Sequence, residues 1–202
     1  MAHWVCARSR DAEAPRILAC MTPGAPDTEI VLRRAGPGDA ARLATFAAAA
    51  FTDTFAAQNR PEDIASYVAD AFGEVVQRAE LTDPDCTVFI AERDGELAGY
   101  AMLRDGTHPQ CVADASAIEI ARLYAGQRWI GAGIGALLMQ RCLVEASSRG
   151  RRTIWLGVWE RNVRAIAFYQ RWHFSIVGSQ PFQLGADRQN DRVMARRVVI
   201  EA

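Results

Sequence analysis

Three glycines in residues 131–136, Gly-Ala-Gly-Ile-Gly-Ala, have the type and spacing needed to bind a phosphate group. Gly131, Gly133 and Gly135 lack side chains, so the backbone N–H groups around them can approach an anion closely. The apolar periodicity that follows predicts a helix over 133–150, and a helix N-terminus adds a dipole that favours an anion. We interpret the segment as a phosphate-binding turn; close packing of small residues is the alternative.

The same segment also fits Gly-x-Gly-x-x-Ala, the fingerprint of dinucleotide-binding folds. That fingerprint opens the first strand–helix–strand unit, and an acidic residue ends the next strand about 20 residues later. Here the glycines follow a predicted hairpin and a further strand, and the next strand contains the aromatic segment IWLGVW. The position of the glycines in the chain therefore argues against a dinucleotide site.

A second segment, WLGVWERNVRAIAFYQRW (155–172), places a polar residue between a predicted strand and a predicted helix. Asn162 is suited to cap the helix, because its side chain can accept a hydrogen bond from a free backbone N–H group. Tyr169 follows seven residues later, which corresponds to about two turns and roughly 10 Å of helix. The two side chains therefore share nearly one helix face and could touch two points of an extended ligand. A core position for Tyr169 beside Phe168 is the alternative.

These segments belong to a predicted mixed α/β order of elements. An Asp94-Gly95 pair between two alternating stretches predicts a hairpin. The predicted strands are 29–35, the two arms of the hairpin within 87–104, 116–125, 152–159, and two within 173–200; the predicted helices are 36–56, 60–73, 133–150 and 163–172. Residues 1–27 are rich in proline and glycine and predict a flexible tail, with Met21 as an alternative first residue, before one domain over 28–202.

Composition limits the class of protein. The chain has 202 residues, half of them hydrophobic, and a net charge of -1, which suits one globular domain. No apolar run approaches the roughly 18–20 residues that cross a bilayer, and the N-terminus has no secretory signal pattern. Five cysteines without paired spacing indicate free thiols and a cytoplasmic protein. Acids dominate 36–85 and arginines dominate 119–202, which suits one cationic and one anionic ligand, although ordinary solvated faces would look the same.

Several segments resemble the GNAT superfamily of acetyl-CoA-dependent N-acetyltransferases. LYAGQRWIGAGIGALLM resembles its signature, and IEIARLY, WLGVWERNVRAIAFYQ and FQLGADRQNDRVM are similar to the PaiA-type polyamine acetyltransferases. The resemblance implies an α/β (α+β) fold with a mixed, mostly antiparallel central sheet, splayed between strands 4 and 5 and flanked by helices. Two residues depart from the pattern: Ile130 stands where Gln or Arg is usual, and His173 stands where the family has Gly-Phe.

The resemblance also implies roles for individual residues. Acetyl-CoA would be the cosubstrate, without a metal, and its pantetheine arm would lie between the splayed strands. Leu123, Tyr124 and Ala125 would bind the arm through backbone groups, with an N–H at Leu123 or Tyr124 polarising the thioester carbonyl. Asn162 would contact the pantetheine amide, and Tyr169 would donate a hydrogen bond or proton to the departing thiolate. The pyrophosphate would be bound by Ile130, Gly131, Ala132, Gly133, Ile134 and Gly135.

The acceptor must also lose a proton. An alkylamine has a pKa of about 10.4, so only about one molecule in 2,500 is a free nucleophile at pH 7, which costs roughly 4–5 kcal/mol. Glu119 is the preferred candidate base, because it lies on the strand leading to the thioester and, by alternation, on the same face as Leu123. Pairing of Glu119 with Arg122 is the alternative. His108 and His173 are weaker candidates for the same role.

We predict a cytoplasmic enzyme that transfers acetyl directly to an amine in a ternary complex, because no cysteine lies in a motif typical of an acyl-carrying nucleophile. The acceptor is predicted to be a spermidine-like polycation bound by carboxylates of the first two helices, above all Asp53. Acetylation of a protein N-terminus or an antibiotic amine, and a non-catalytic acyl-CoA-binding regulator, are the alternatives. The expected partner is a small-molecule amine rather than nucleic acid or a membrane, and a homodimer is left open.

Overall fold

The computed structural model describes residues 29–199, which form one seven-stranded sheet with helices on both faces. The predicted tail over 1–27 lies outside the described residues. The strands are β1 (Ile30–Arg34), β2 (Cys86–Arg93), β3 (Glu96–Arg104), β4 (Ala117–Ala125), β5 (Thr153–Trp159), β6 (Ser175–Leu184) and β7 (Asp187–Arg197). The helices are α1 (Ala40–Phe55), α2 (Pro61–Ala71), α3 (Glu74–Thr82), α4 (Ile134–Ser148) and α5 (Val163–Arg171). None of the helices in this part of the chain is long and apolar enough to cross a membrane.

The sheet opens between its fourth and fifth strands. The strand order is β1-β2-β3-β4-β5-β7-β6, and β4 with β5 is the parallel pair, whereas the other neighbours are antiparallel. Residues 117–119 pair with 153–155, and pairing stops there although β4 continues to Ala125 and β5 to Trp159. The ends of the two strands therefore diverge and leave a gap, which confirms the predicted splayed, mostly antiparallel sheet.

Two cores hold the helices against the sheet. On one face α4 contributes Ile134, Leu138 and Met139 to a cluster with Phe89 and other strand residues. On the other face α1 and α2 pack their apolar stripes against alternate residues of the same strands. The central strands are buried on both faces, which is why β2 is a nearly continuous apolar run instead of an alternating one. The sheet that contains the gap between β4 and β5 is therefore covered by helices on both faces.

His173 ends α5 in a conformation that usually requires glycine. Its φ is 64°, in the left-handed region, and its N–H donates to the Gln170 carbonyl at 2.9 Å. The next N–H, of Phe174, donates to the Tyr169 carbonyl at 3.1 Å, which completes a Schellman motif. The rings of Phe174 and Tyr169 then meet edge to face with centroids 5.8 Å apart. The turn at the His173 departure thus keeps the left-handed geometry that glycine favours, and it anchors Tyr169.

Replacing His173 with glycine is expected to stabilise the protein. A non-glycine residue in the left-handed region costs roughly 1–2 kcal/mol, and the added chain entropy of glycine in the unfolded state offsets part of the gain. His173→Gly should therefore raise Tm by about 1–4 °C in a thermal melt. Asp94→Gly, at φ 55° in the β2–β3 turn, is the control and should gain less, because aspartate tolerates this region. An unchanged or lower Tm for His173→Gly would show that the imidazole makes a compensating contact.

Candidate active site

A cavity of about 500 Å³ occupies the gap between β4 and β5. Its walls come from the ends of both strands, the glycine turn before α4, the inner face of α5, and residues of α1, α2, β6 and β7. Most of the predicted site residues line it: Leu123, Tyr124, Ala125, Ile130, Gly131, Gly133, Ile134, Gly135, Asn162 and Tyr169. Ala132, Glu119 and Asp53 do not. Segments that are distant in sequence therefore meet around one space.

The glycine turn leaves the N-terminus of α4 uncapped. Gly131 and Gly133 have φ of 87° and 84°, and a Cβ on either would meet no atom within 4 Å. The first hydrogen bond of the helix runs from the Leu137 N–H to the Gly133 carbonyl at 3.0 Å, and no side chain caps the turn. Backbone N–H groups at 133–136 thus lack a partner within residues 29–199. Such a cluster of donors at a helix N-terminus suits an anion such as a pyrophosphate.

Two arginines extend the anion-binding character of this side of the cavity. Arg164 and Arg171 lie on α5 and line the cavity together with the glycine turn. Phe168 lies between the two helices, where its ring would be 3.7 Å from a Cβ built on Gly135. The donors and positive charges fit the phosphates of a CoA-type ligand, and the fit depends on backbone groups instead of a side chain at Ile130.

The edge of β4 that faces the gap presents unpaired backbone groups. The Gly126 N–H donates to the Ala98 carbonyl of β3 at 2.9 Å. Because N–H groups alternate along a strand, those of Leu123 and Ala125 point to the opposite side, toward β5. Pairing with β5 has already ended at Glu119, so these groups face the cavity. Of the two N–H groups predicted to polarise a thioester carbonyl, this geometry favours the one on Leu123.

Asn162 and Tyr169 both reach the cavity from α5. The Asn162 Oδ1 accepts from the Ala165 N–H at 3.1 Å, which confirms the predicted N-cap. Its Nδ2 group has no partner within residues 29–199 and is available as a donor. Tyr169 is 8% exposed, and burial raises the pKa of its phenol above the ordinary value. The phenol is therefore neutral over the physiological range and able to donate a hydrogen bond into the cavity.

The prediction that Glu119 and Leu123 lie on the same face of β4 is wrong. The β3–β4 register shifts between Arg122 and Ile120, so that Ala121 forms a bulge. A bulge inserts one residue and reverses the alternation beyond it. Leu123 accordingly packs on the core that contains Ile120, on the face opposite Glu119.

The ion pair expected for Glu119 also differs from the prediction. Glu119 accepts from Arg104 at 2.7 Å, on the neighbouring strand. Arg122 pairs instead with Glu80 of α3 at 2.6 Å. Glu119 thus lies where β4 and β5 are still paired, outside the cavity. The structure therefore does not bring the predicted base to the reaction space.

Asp53 is likewise outside the cavity. It is exposed near the end of α1, whereas the next two residues, Thr54 and Phe55, line the wall. Each residue of a helix turns by about 100°, so neighbours of an inward-facing residue can face solvent. The predicted substrate contact by Asp53 would need a movement of α1 that the structure does not show.

Asp191 is a cavity residue that the sequence did not reveal. It is 9% exposed in the middle of β7, paired with Trp159 on β5 and Gln180 on β6. Burial, together with the nearby Glu160 carboxylate, raises the pKa of Asp191 to about 6. The sequence pattern predicts a strand that begins at this residue. The real strand begins at Asp187, and only the pairing register reveals an inward acid.

Comparison with known proteins agrees with this geometry. A profile of the "Acetyltransferase (GNAT) family" matches residues 48–174. A protein of Mycobacterium bovis named an uncharacterized N-acetyltransferase is 40% identical over 162 residues, 80% of this chain and 99% of that protein. One from Lactobacillus delbrueckii subsp. lactis is 30% identical over 149 residues, 74% of this chain and 86% of that protein.

A solved structure shares the fold. The crystal structure of the PaiA N-acetyltransferase from Thermoplasma acidophilum, in complex with coenzyme A, superposes with a TM-score of 0.69. The two sequences are 19% identical, and the match covers 84% of this chain and 99% of that one. Residues 29–199 contain no group of three or more His, Cys, Asp or Glu side chains arranged to hold a metal ion. By the family profile and the near-complete coverage of its relatives, the chain belongs to the GNAT family and is an acetyl-CoA-dependent N-acetyltransferase.

Proposed function

We propose that the protein transfers the acetyl group directly to a primary amine, with both substrates bound together in the cavity between β4 and β5. One observation carries the proposal: the first residues of α4, Tyr169 and Asp191 all line a single space. An anionic cosubstrate and a cationic acceptor can therefore be bound in the cavity at the same time. None of the described cysteines, Cys86, Cys111 and Cys142, lines this space, so the described chain offers no thiol there to carry the acetyl group.

Different residues along the cavity would bind different parts of acetyl-CoA. Bound acetyl-CoA supplies the activated thioester. The N–H groups before α4 and the two arginines of α5 would hold its phosphates. The Leu123 N–H would polarise the thioester carbonyl, and the Asn162 amide would orient the arm. Tyr169 would donate a hydrogen bond to the thiolate as it departs. A free thiol has a pKa of about 8.5, below that of a tyrosine, so this hydrogen bond matters more than full proton transfer.

The nature of the acceptor is a finer part of the proposal. A polyamine acceptor was predicted from the acidic first helices and the PaiA-like segments, and the shared fold with a PaiA protein gives that prediction limited support. The predicted contact, Asp53, faces solvent, and the predicted base, Glu119, lies outside the cavity. The support for a cationic acceptor therefore comes from Asp191.

The compartment and the domain bounds are also part of the proposal. We assign the acetyltransferase domain to residues 28–202 and a cytoplasmic location to the protein. Cys86, Cys111 and Cys142 are free thiols, as proteins of a reducing compartment usually have.

The charge of the cavity lining also suits an amine acceptor. The pairing of Arg122 with Glu80 neutralises one positive charge on the acceptor side of the cavity.

A panel of amines tests the function. The protein is mixed with acetyl-CoA and, separately, with alkylamines, arylalkylamines, spermidine, an aminoglycoside and a peptide with a free N-terminus. Thiol release is followed, and products are identified by mass. We expect release that depends on a small amine and a mono-acetylated product. Release only with the peptide or the aminoglycoside would support those alternatives. Tight acetyl-CoA binding without acceptor-dependent release from any amine would indicate a regulator.

A further inference from the structure

The part of the cavity lining that residues 29–199 supply contains one acid among several bases. Its charged lining residues are Arg122, Arg164, Arg171 and Asp191. Arg122 is already bound to Glu80, and the other two arginines lie on α5, the helix whose Phe168 ring would be 3.7 Å from a Cβ built on Gly135. Asp191 has no hydrogen-bond or ion-pair partner within residues 29–199. A buried carboxylate without a partner is costly, so its retention needs a ligand or a function.

Gly157 makes room for this carboxylate. It interrupts the aromatic strand β5 on the face where Asp191 lies. A Cβ built on Gly157 would be 3.1 Å from the Asp191 Oδ2 and 2.8 Å from the Gln180 Nε2. Any larger residue here would push both polar groups away from the strand. Two strands thus combine to place one acid at the cavity wall: β5 through the missing side chain and β7 through the carboxylate.

Aromatic rings surround the space next to Asp191. We call Phe51, Phe55, Tyr67, Trp159 and Phe182 the aromatic wall; all of them line the cavity. Their rings form a chain of contacts, with centroids 5.9 Å apart for Trp159–Phe55, 4.7 Å for Phe55–Phe51 and Phe51–Tyr67, and 5.3 Å for Tyr67–Phe182. Aromatic faces attract cations and exclude water from apolar groups.

The electrostatic surroundings of Asp191 favour a cation. Glu160, in the turn after β5, is the nearest other acid, and its own charge is paired with Arg192 at 3.3 Å. Tyr67 of α2 faces the same space with a neutral phenol. No basic side chain of the described chain approaches the Asp191 carboxylate. The site therefore offers one negative charge, in an apolar frame, to a ligand that supplies one positive charge.

We propose that Asp191 binds the ammonium group of the acceptor, and that the acceptor is an amine with a single positive charge and an apolar body lying along the aromatic wall. This inference rests on the proposed acetyl transfer and names its substrate class. A polyamine would need a carboxylate for each additional charge, and among residues 29–199 the lining of the cavity has none beyond Asp191. An amino acid would need a free cation near Asp191, and the arginine on this side is already paired.

Asp191 would also accept the proton that the amine must lose. The ammonium proton passes to the carboxylate, leaving a neutral amine beside a carboxylic acid, and burial lowers the cost of this transfer because it disfavours both charged groups. The N–C bond then forms as the C–S bond breaks, and the second amine proton ends on the thiol, assisted by Tyr169. Asp191 finally returns its proton to water. One ammonium and one thioester thus yield one amide, one thiol and one proton.

The test compares Asp191→Asn with the wild-type protein, using 2-phenylethylamine and spermidine as probes. The wild type should prefer 2-phenylethylamine to spermidine by at least about tenfold in kcat/KM. Asp191→Asn should lower kcat/KM for 2-phenylethylamine by about 100-fold, the effect of removing one partner of a buried charge pair. Its Kd for acetyl-CoA should stay within about threefold. Asp83→Asn, an exposed acid after α3, is the matched control and should change neither constant.

Two further measurements separate a functional from a structural role. Gly157→Ala keeps the charge but displaces it, and should lower kcat/KM about tenfold. Because the pKa of Asp191 is raised in the folded state, its ionisation destabilises the fold as pH rises. Asp191→Asn should therefore melt above the wild type, with an advantage that grows between about pH 4 and pH 6 and is constant above. A variant that is more stable but inactive is the signature of a functional acid.

Binding measured without turnover distinguishes the two proposals. In calorimetry with CoA present, 2-phenylethylamine should bind the wild type and Asp83→Asn, and Asp191→Asn should bind it at least about tenfold more weakly. Binding that depends on Asp191 in a protein that acetylates no amine would sustain this inference and overturn the proposed function. Preference for spermidine, or normal acetylation of 2-phenylethylamine by Asp191→Asn, would overturn the inference while acetyl transfer stands.

Discussion

Tyr169→Phe is expected to lower kcat by roughly 10²-fold and to leave acetyl-CoA affinity within a few-fold. The substitution keeps the ring that packs against Phe174 and removes only the hydroxyl. The hydroxyl has no hydrogen-bond partner within residues 29–199, so its loss leaves no buried donor or acceptor unpaired there. Its contribution appears only when charge develops on the departing sulfur, which affects kcat more than binding.

Two aromatic neighbours and a helix-ending turn position the Tyr169 ring. The Schellman turn at His173 holds Phe174 against the ring, and Phe168 contacts it with centroids 5.4 Å apart. Tyr100→Phe is the matched control, because Tyr100 is fully buried, its hydroxyl also lacks a partner in the described chain, and it does not line the cavity. That variant should turn over within about twofold of the wild type. Near-normal kcat for Tyr169→Phe would make Tyr169 a core aromatic and assign the donor to water.

Gly135→Val is expected to weaken CoA binding at least about tenfold while the fold stays intact. Gly135 lies in the first turn of α4 with helical geometry, so valine brings little backbone strain. Its methyl groups would project beside Phe168, into the space where phosphate must approach the N–H groups. Calorimetry with CoA measures the effect. Unchanged affinity would mean that the glycines serve only close packing.

A pair of alanine variants separates backbone strain from lost binding. Gly133 and Gly150 stand at opposite ends of α4 with φ of 84° and 66°, and a Cβ on either would meet no atom within 4 Å. Gly133→Ala and Gly150→Ala should each lose roughly 1–2 kcal/mol of stability. Only Gly133→Ala should also lose CoA affinity, because only that end faces the cavity. Equal CoA affinity in the two variants would contradict the phosphate-binding role of the turn.

Features with a local cause were predictable from the sequence. The glycine turn, the Asn162 cap and the helix periodicity that aligns Tyr169 with Asn162 all depend on residues within a few positions of one another. The Asp94-Gly95 turn is equally local, and both residues adopt the positive φ that its hairpin needs. These elements form the side of the cavity that would bind the anionic cosubstrate.

Features that depend on strand register were not predictable. The side on which Glu119 lies is decided by the bulge at Ala121, which arises from pairing with β3. The inward position of Asp191 follows from the pairing of β7 with two other strands. No periodicity in one strand reports such long-range pairing, because a shift of one residue exchanges the two faces. Only the structure therefore shows which acidic residue lies on the side of the cavity that would bind the acceptor.

Initial-rate kinetics distinguish direct transfer in a ternary complex from transfer through an acetylated enzyme. Rates of thiol release are measured with acetyl-CoA and 2-phenylethylamine varied together over a grid of concentrations, and double-reciprocal plots are compared. We expect lines that intersect, because both substrates must occupy the cavity before acetyl moves. Parallel lines, with a burst of thiol in the absence of amine, would contradict it by revealing an acetylated enzyme.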